Sequence, residues 1–152
     1  NIRLPISAYI PIEYIPDLTT RLGVYKRLAM PILHEDISSL MEEIRDRFGP
    51  FPKVVRDLFY ILGIKALARD AGIESIAHNG MFVILQLTEP IGGVRSALQR
   101  ALGESVTVGH SQIKLTSSDR WREGLLEVLE SINNFKAYIM HLTSNGSLTK
   151  ST

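Results

Sequence analysis

The spacing of apolar residues changes part-way along this chain, and the change divides it into a helical half and a mixed half. Over residues 1–16, Pro5, Pro11 and Pro16 each fix φ and remove a backbone donor. This stretch reads as an extended arm, with Ala8, Ile10, Ile12 and Ile15 available to pack. Asp17 is placed to cap a helix in which Leu18, Leu22, Tyr25 and Ala29 recur at helical spacing, and Pro31 stops it. A second helix is predicted from about Glu35 to Phe48, with Ile37, Leu40, Met41, Ile44 and Phe48 as its apolar stripe and Gly49-Pro50 as its end. A third runs from near Pro52 to about Ala71, closed by Gly72. Val55, Leu58, Phe59, Leu62 and Ala66 form its main stripe, and Ile61, Ile64 and Leu67 widen that face, as expected of a helix central to the core.

Beyond Gly72 the period shortens to that of strands. Ile73 to Ala77 and Met81 to Leu87 are two predicted strands joined through Asn79-Gly80, a pair suited to a type I′ turn with positive φ at both positions. After Pro90-Ile91-Gly92-Gly93 comes a short helix carrying Val94, Ala97, Leu98, Ala101 and Leu102, ended by Gly103. A second strand pair follows, Val106/Val108 and Ile113/Leu115, linked through Gly109-His110-Ser111. Ser118 or Asp119 then caps a last helix with Trp121, Leu125, Val128, Leu129 and Ile132 on its core stripe. From Asn133 the periodicity fades, and the polar stretch Ser144 to Thr152 is expected to fray. The predicted fold class is α+β: an N-terminal extended arm and three helices, then ββα-ββα, with a small, mainly antiparallel sheet packed on helices. The expected division is an arm over 1–16, an α+β domain over 17–132 and a partly disordered tail over 133–152.

Composition narrows the functional classes. The chain has 152 residues, 45% hydrophobic and 22% charged, which suits one globular domain with a real core. Its 17 basic and 16 acidic side chains leave a net charge of +1, without the basic surplus usual in a dedicated nucleic-acid binder. With no cysteine, disulfides, zinc–thiolate sites and cysteine nucleophiles are excluded. The longest apolar run, Met81 to Leu85, is too short to span a bilayer, and the opening Asn1-Ile2-Arg3-Leu4-Pro5 lacks the signal-peptide pattern. A cytoplasmic location is expected. Asn rather than Met at position 1 suits a segment of a longer chain.

Catalytic and ligand-binding motifs are nearly absent from the sequence. His34, His78, His110 and His141 show no HxxxH or HxH spacing and read as surface histidines. Gly92-Gly93 precedes a helix but belongs to no phosphate-binding motif, and no serine sits in a GxSxG elbow. Trp121 falls on a core stripe, and the aromatics are not interleaved with basic residues as in a single-strand binding platform. No catalytic, cofactor-binding or metal-ligating residue is identified, and no cofactor is expected.

The second helix is distinctive. Glu35, Glu42, Glu43 and Asp46 fall opposite its Ile37/Leu40/Ile44 stripe at 100° per residue, with Asp36 flanking them. Arg45 and Arg47 alone interrupt the acids, so few i,i+4 ion pairs stabilise the helix. Two readings fit: a solvated acidic face, the commonest origin of a charge run, or a docking face for a basic partner.

Several blocks together resemble a known family. Leu4-Pro5, Ala8-Tyr9-Ile10-Pro11, Tyr14-Ile15-Pro16-Asp17, Arg21-Leu22, Tyr25-Lys26-Arg27-Leu28-Ala29 and the run Glu43-Ile44-Arg45-Asp46-Arg47-Phe48-Gly49-Pro50-Phe51-Pro52 resemble the C-terminal domain of bacterial transcription-repair coupling factors. The likeness is strong from residue 4 to 71, a pattern match to about 132, and nothing beyond. The resemblance implies a parent that is an ATP-dependent DNA translocase acting on stalled RNA polymerase and recruiting UvrA through a UvrB-like N-terminal module. It implies a non-catalytic, autoinhibitory role for this domain: docking on the UvrB-like module of the same protein and masking the UvrA-binding surface. By position, the family's acidic contacts fall on Glu43 and Asp46, with Glu42 and Arg47 beside them in the candidate protein-interaction site. The alternatives are an accessory nucleic-acid-binding α+β module of the same translocase, or an enzyme domain with an unfamiliar site.

Overall fold

Asp17, in an extended conformation after Pro16, accepts the Thr20 N–H on its carboxylate at 2.9 Å and so caps α1, Leu18–Ala29. This computed structural model of the chain describes residues 1–144 in full and carries the last helix on to Lys150. A one-turn 3-10 segment, His34–Asp36, leads into α2, Ile37–Phe48; α3 follows over Lys53–Ala71. The chain divides into two compact units, Pro5–Ala66 and Asn1–Leu4 with the residues from Leu67 onward.

In the Pro5–Ala66 unit the arm is part of the core. Ile10 and Ile15 are buried with Val24, Ile37, Leu40, Ile44, Phe51, Val55 and Phe59, whereas Ile12 is exposed. Burying a side chain such as Ile15 or Ile44 contributes about 1.5–3 kcal/mol. Aromatic rings hold the arm to the end of α2: Tyr14 lies 6.1 Å from Phe48 and 6.2 Å from Phe51, and its hydroxyl donates to the Gly49 carbonyl at 2.7 Å. The Tyr25 hydroxyl accepts the Ile10 N–H at 2.7 Å, satisfying a backbone donor that no strand pairs.

The expected stripe of α1 needs correction. Leu18 and Leu22 are 57% and 53% exposed, and Ala29 is also exposed; Val24 is buried, with Tyr25 and Leu28 packed beside it. The inward face is rotated about a quarter turn from the predicted one. Arg21 shares that face, where its guanidinium donates to the Ile15 carbonyl at 2.9 Å. A polar side chain satisfying the arm's backbone thus shares the inward face with Val24 and Leu28.

The second unit holds β2 (Ile73–His78), β3 (Phe82–Leu87), α4 (Arg95–Leu102), β4 (Val106–Val108), β5 (Gln112–Thr116) and α5 (Trp121–Lys150), with β1 (Ile2–Arg3) on the sheet edge. The strand order is β1-β2-β3-β5-β4, antiparallel throughout except for the parallel β1–β2 pair. This is the expected ββα-ββα arrangement with one further strand. Register places Ile76, Leu85, Ile113 and Val108 in one row across β2, β3, β5 and β4, all buried. Leu125 and Leu129 of α5 are fully buried in the same unit, and α5 passes close over β5: a Cβ on Gly124 would stand 3.3 Å from Leu115 Cδ2.

Two further expectations are corrected here. The β2–β3 turn is not type I′, because only Gly80 has positive φ (95°) and Asn79 does not. Asn79 works through its side chain, whose Oδ1 accepts the N–H groups of Met81 at 3.1 Å and Phe82 at 2.8 Å. The last helix does not stop near Ile132 but continues through Asn133. Asn133 Nδ2 donates to the Leu67 carbonyl at 3.1 Å and Lys136 Nζ to that of Asp70 at 2.6 Å. Polar residues that break the apolar pattern therefore hold α5 to the C-terminal carbonyls of α3. Beyond Ser144 itself, the fraying expected of Ser144–Thr152 concerns residues outside those fully described.

Candidate protein-interaction site

The inward residues of α2, Ile37, Leu40 and Ile44, are 6%, 8% and 3% exposed, which fixes the helix's rotation. Glu42, Glu43 and Asp46 are consequently brought together on its outward face, all exposed. Gly49 N donates to Arg45 O at 2.8 Å and closes the helix, so these carboxylates sit on its last turns. Arg47 is also exposed, with its guanidinium carbon 4.9 Å from the centroid of the Phe48 ring, and Arg45 lies at the same distance from that of Phe51. Both arginines are thus turned onto aromatic rings.

Glu43 has a partner that the sequence reading missed. Its Oε2 accepts a hydrogen bond from Arg27 Nη1 of α1. That hydrogen bond holds the Glu43 carboxyl below the usual carboxylate range; it outweighs the opposing desolvation, and the charges of Arg27 and Arg47 add to the lowering. Arg27 belongs to the block Tyr25–Ala29, but its reach to Glu43 depends on how α1 packs beside α2, which local spacing does not encode. Glu42 and Asp46 have no ion-pair partner among the described residues. Beside Glu43 lies a groove of about 380 Å³ lined by Arg27, Met30, Ile32, Leu40 and Glu43. Carboxylates next to an apolar hollow can accept charge-assisted hydrogen bonds from guanidinium groups while an apolar side chain packs alongside.

His34, His110 and His141 are exposed. His78 is half-buried, which corrects its reading as a surface histidine. Its Nδ1 accepts the Gly80 N–H at 3.0 Å, so Nε2 carries the proton and donates to Ser117 Oγ at 2.9 Å. Trp121 is half-buried with its ring 4.8 Å from that of His78. Among the described residues no His/Asp/Glu cluster has metal-site geometry, and no helix is long and apolar enough to cross a membrane.

The five-stranded open sheet with flanking helices is the fold seen in a crystal structure of the C-terminal domain of a transcription-repair coupling factor: TM-score 0.72, 23% identity, covering 91% of this chain and 94% of that one. The TRCF domain family model matches residues 4–91. Transcription-repair-coupling factors of Staphylococcus epidermidis (strain ATCC 35984) and Bacillus subtilis (strain 168) are 30% identical over 146 residues and 29% over 149, each match covering 90% of this chain. The chain belongs to the TRCF domain family, the C-terminal domain of transcription-repair coupling factors. It spans only 12% and 13% of the length of those two relatives.

Proposed function

We propose that this chain is a non-catalytic regulatory domain that docks, through the acidic outward face of α2, on the UvrB-like module of its own parent protein and masks UvrA binding. The parent in this reading is a cytoplasmic ATP-driven DNA translocase that engages RNA polymerase and hands the lesion to UvrA. The observation that carries the reading is the exposed trio Glu42, Glu43 and Asp46, on a helix whose other side is fastened by Ile37, Leu40 and Ile44. The helix backbone that carries these carboxylates is already ordered, so docking on arginines has only side chains left to order, and the hollow beside Glu43 adds an apolar contact to the charged one. Arg47 borders the face, its guanidinium held over the Phe48 ring.

A pull-down with the separately expressed UvrB-like module tests this. The module captures the domain at low salt and releases it as ionic strength rises, because the attraction is carried by charge. Replacing Glu43 and Asp46 by Lys weakens capture roughly tenfold or more. Capture that ignores both salt and the double substitution contradicts the reading. The purified domain hydrolyses no ATP above a mock preparation; measurable turnover would contradict the non-catalytic part.

A further inference from the structure

The Leu67-onward unit contains a second feature, independent of the acidic face: a partly open cavity of about 490 Å³. It lies where the C-terminus of α3, the end of β3, the segment before α4, and α5 converge. Its wall is apolar, built from Leu87, Ile91, Leu98, Ile113, Ile132 and Phe135. Leu98, Ile113 and Ile132 are core residues at 4%, 0% and 3% exposure and form a packed floor beneath the cavity, while the half-buried Leu87, Ile91 and Phe135 supply its accessible apolar wall. Its volume is within the roughly 300–1,000 Å³ range of small-molecule sites.

The charged groups in the lining are Arg69 and Lys136 against Glu89, two cations to one carboxylate. Lys136 has no carboxylate partner among the described residues. Its ammonium donates one hydrogen bond to the Asp70 carbonyl and keeps two donors for a ligand. The same bond, with that from Asn133 to Leu67 O, occupies carbonyls at the end of α3 that would otherwise repel an anion there. An apolar wall with a cationic lip suits a molecule with an apolar body and one negative end.

We propose that this cavity is a binding site for a small amphipathic carboxylate, its hydrocarbon or aryl body against Leu87, Ile91 and Phe135 and its carboxylate at Lys136. The pattern of apolar wall and lip charge, more than size, selects the ligand. A cationic amphiphile of equal length meets the wrong charge, and a neutral one gains only the apolar contact.

Decanoate is the test probe, with 1-decanol and decyltrimethylammonium as controls of matched chain, followed by backbone amide shifts of the intact chain. Decanoate is expected to give saturable shifts concentrated at Leu87 to Ile91 and at Phe135 and Lys136, and to bind more tightly than either control. Lys136→Met weakens decanoate roughly tenfold, as expected for one charge-assisted hydrogen bond, and leaves decanol unchanged. Val94→Trp, at a 38% exposed position on the cavity lining just before α4, blocks both. Shifts that are absent or scattered, or equal affinity for all three probes, would overturn the assignment. The shift map and the ranking of probes come from the unsubstituted protein, so a misfolded variant does not spare the proposal.

Discussion

Helices α1 and α2 are each 12 residues long and each expose one face, but they expose different chemistry. On α2 the outward face is acidic and the apolar stripe is turned in, with Ile37, Leu40 and Ile44 buried. On α1 the outward side carries Leu18 and Leu22, while Arg21 faces the arm. The difference arises from what each helix must cover. Buried Ile37, Leu40 and Ile44 permit one rotation of α2. α1 instead has two candidate apolar edges, and the unpaired carbonyl of Ile15 in the proline-rich arm favours the edge that brings Arg21 within reach. An apolar stripe alone therefore locates a helix, but its rotation also depends on the backbone groups its neighbours leave unsatisfied.

This contrast can be broken by substitution. Ile44→Ala, at 3% exposure, should cost about 2–5 kcal/mol in urea unfolding. Leu22→Ala, at 53% exposure on α1, should stay within about 0.5 kcal/mol, and a loss comparable to that at Ile44 would return Leu22 to the core. In the other unit, Asn79→Ala removes both side-chain acceptors of the β2–β3 turn and should cost about 1 kcal/mol by the same measurement. The smallest expected effect is at the bridge between the two helices. Glu43's folded-state pKa is depressed, so the contribution of its pair with Arg27 is present above the unfolded carboxylate pKa and is lost as pH falls through the folded value. Arg27→Met should raise the Glu43 pKa in an NMR titration, and any stability difference from the unsubstituted protein should vanish on the acid side of that window. An unmoved Glu43 titration would show that the two side chains do not pair.

Much of this architecture was legible because it is local. Gly49-Pro50, Gly72 and Gly103 end helices at the expected places, and alternation marks β3 and β5. What was not legible is non-local. β1 is two residues long, too short to show alternation, and it exists because Ile2 and Arg3 pair with Ile76 and Ala77 far along the chain. The extension of α5 rests on Asn133 and Lys136 finding carbonyls of α3, 66 residues away. The candidate site divides the same way. The exposure of Glu42, Glu43 and Asp46 follows from the period of α2, while the partnership of Glu43 with Arg27 is set by helix packing.

The proposed docking role of that acidic face is tested most directly by UvrA binding to the full-length parent without polymerase, comparing the unsubstituted protein with Glu43→Lys/Asp46→Lys. Both residues are exposed, so the double variant should fold normally, which circular dichroism of the isolated domain verifies. Charge reversal should release the domain from the UvrB-like module and raise UvrA binding well above the repressed level. UvrA binding that stays repressed in a folded double variant would contradict the account and leave the acidic face as solvated surface.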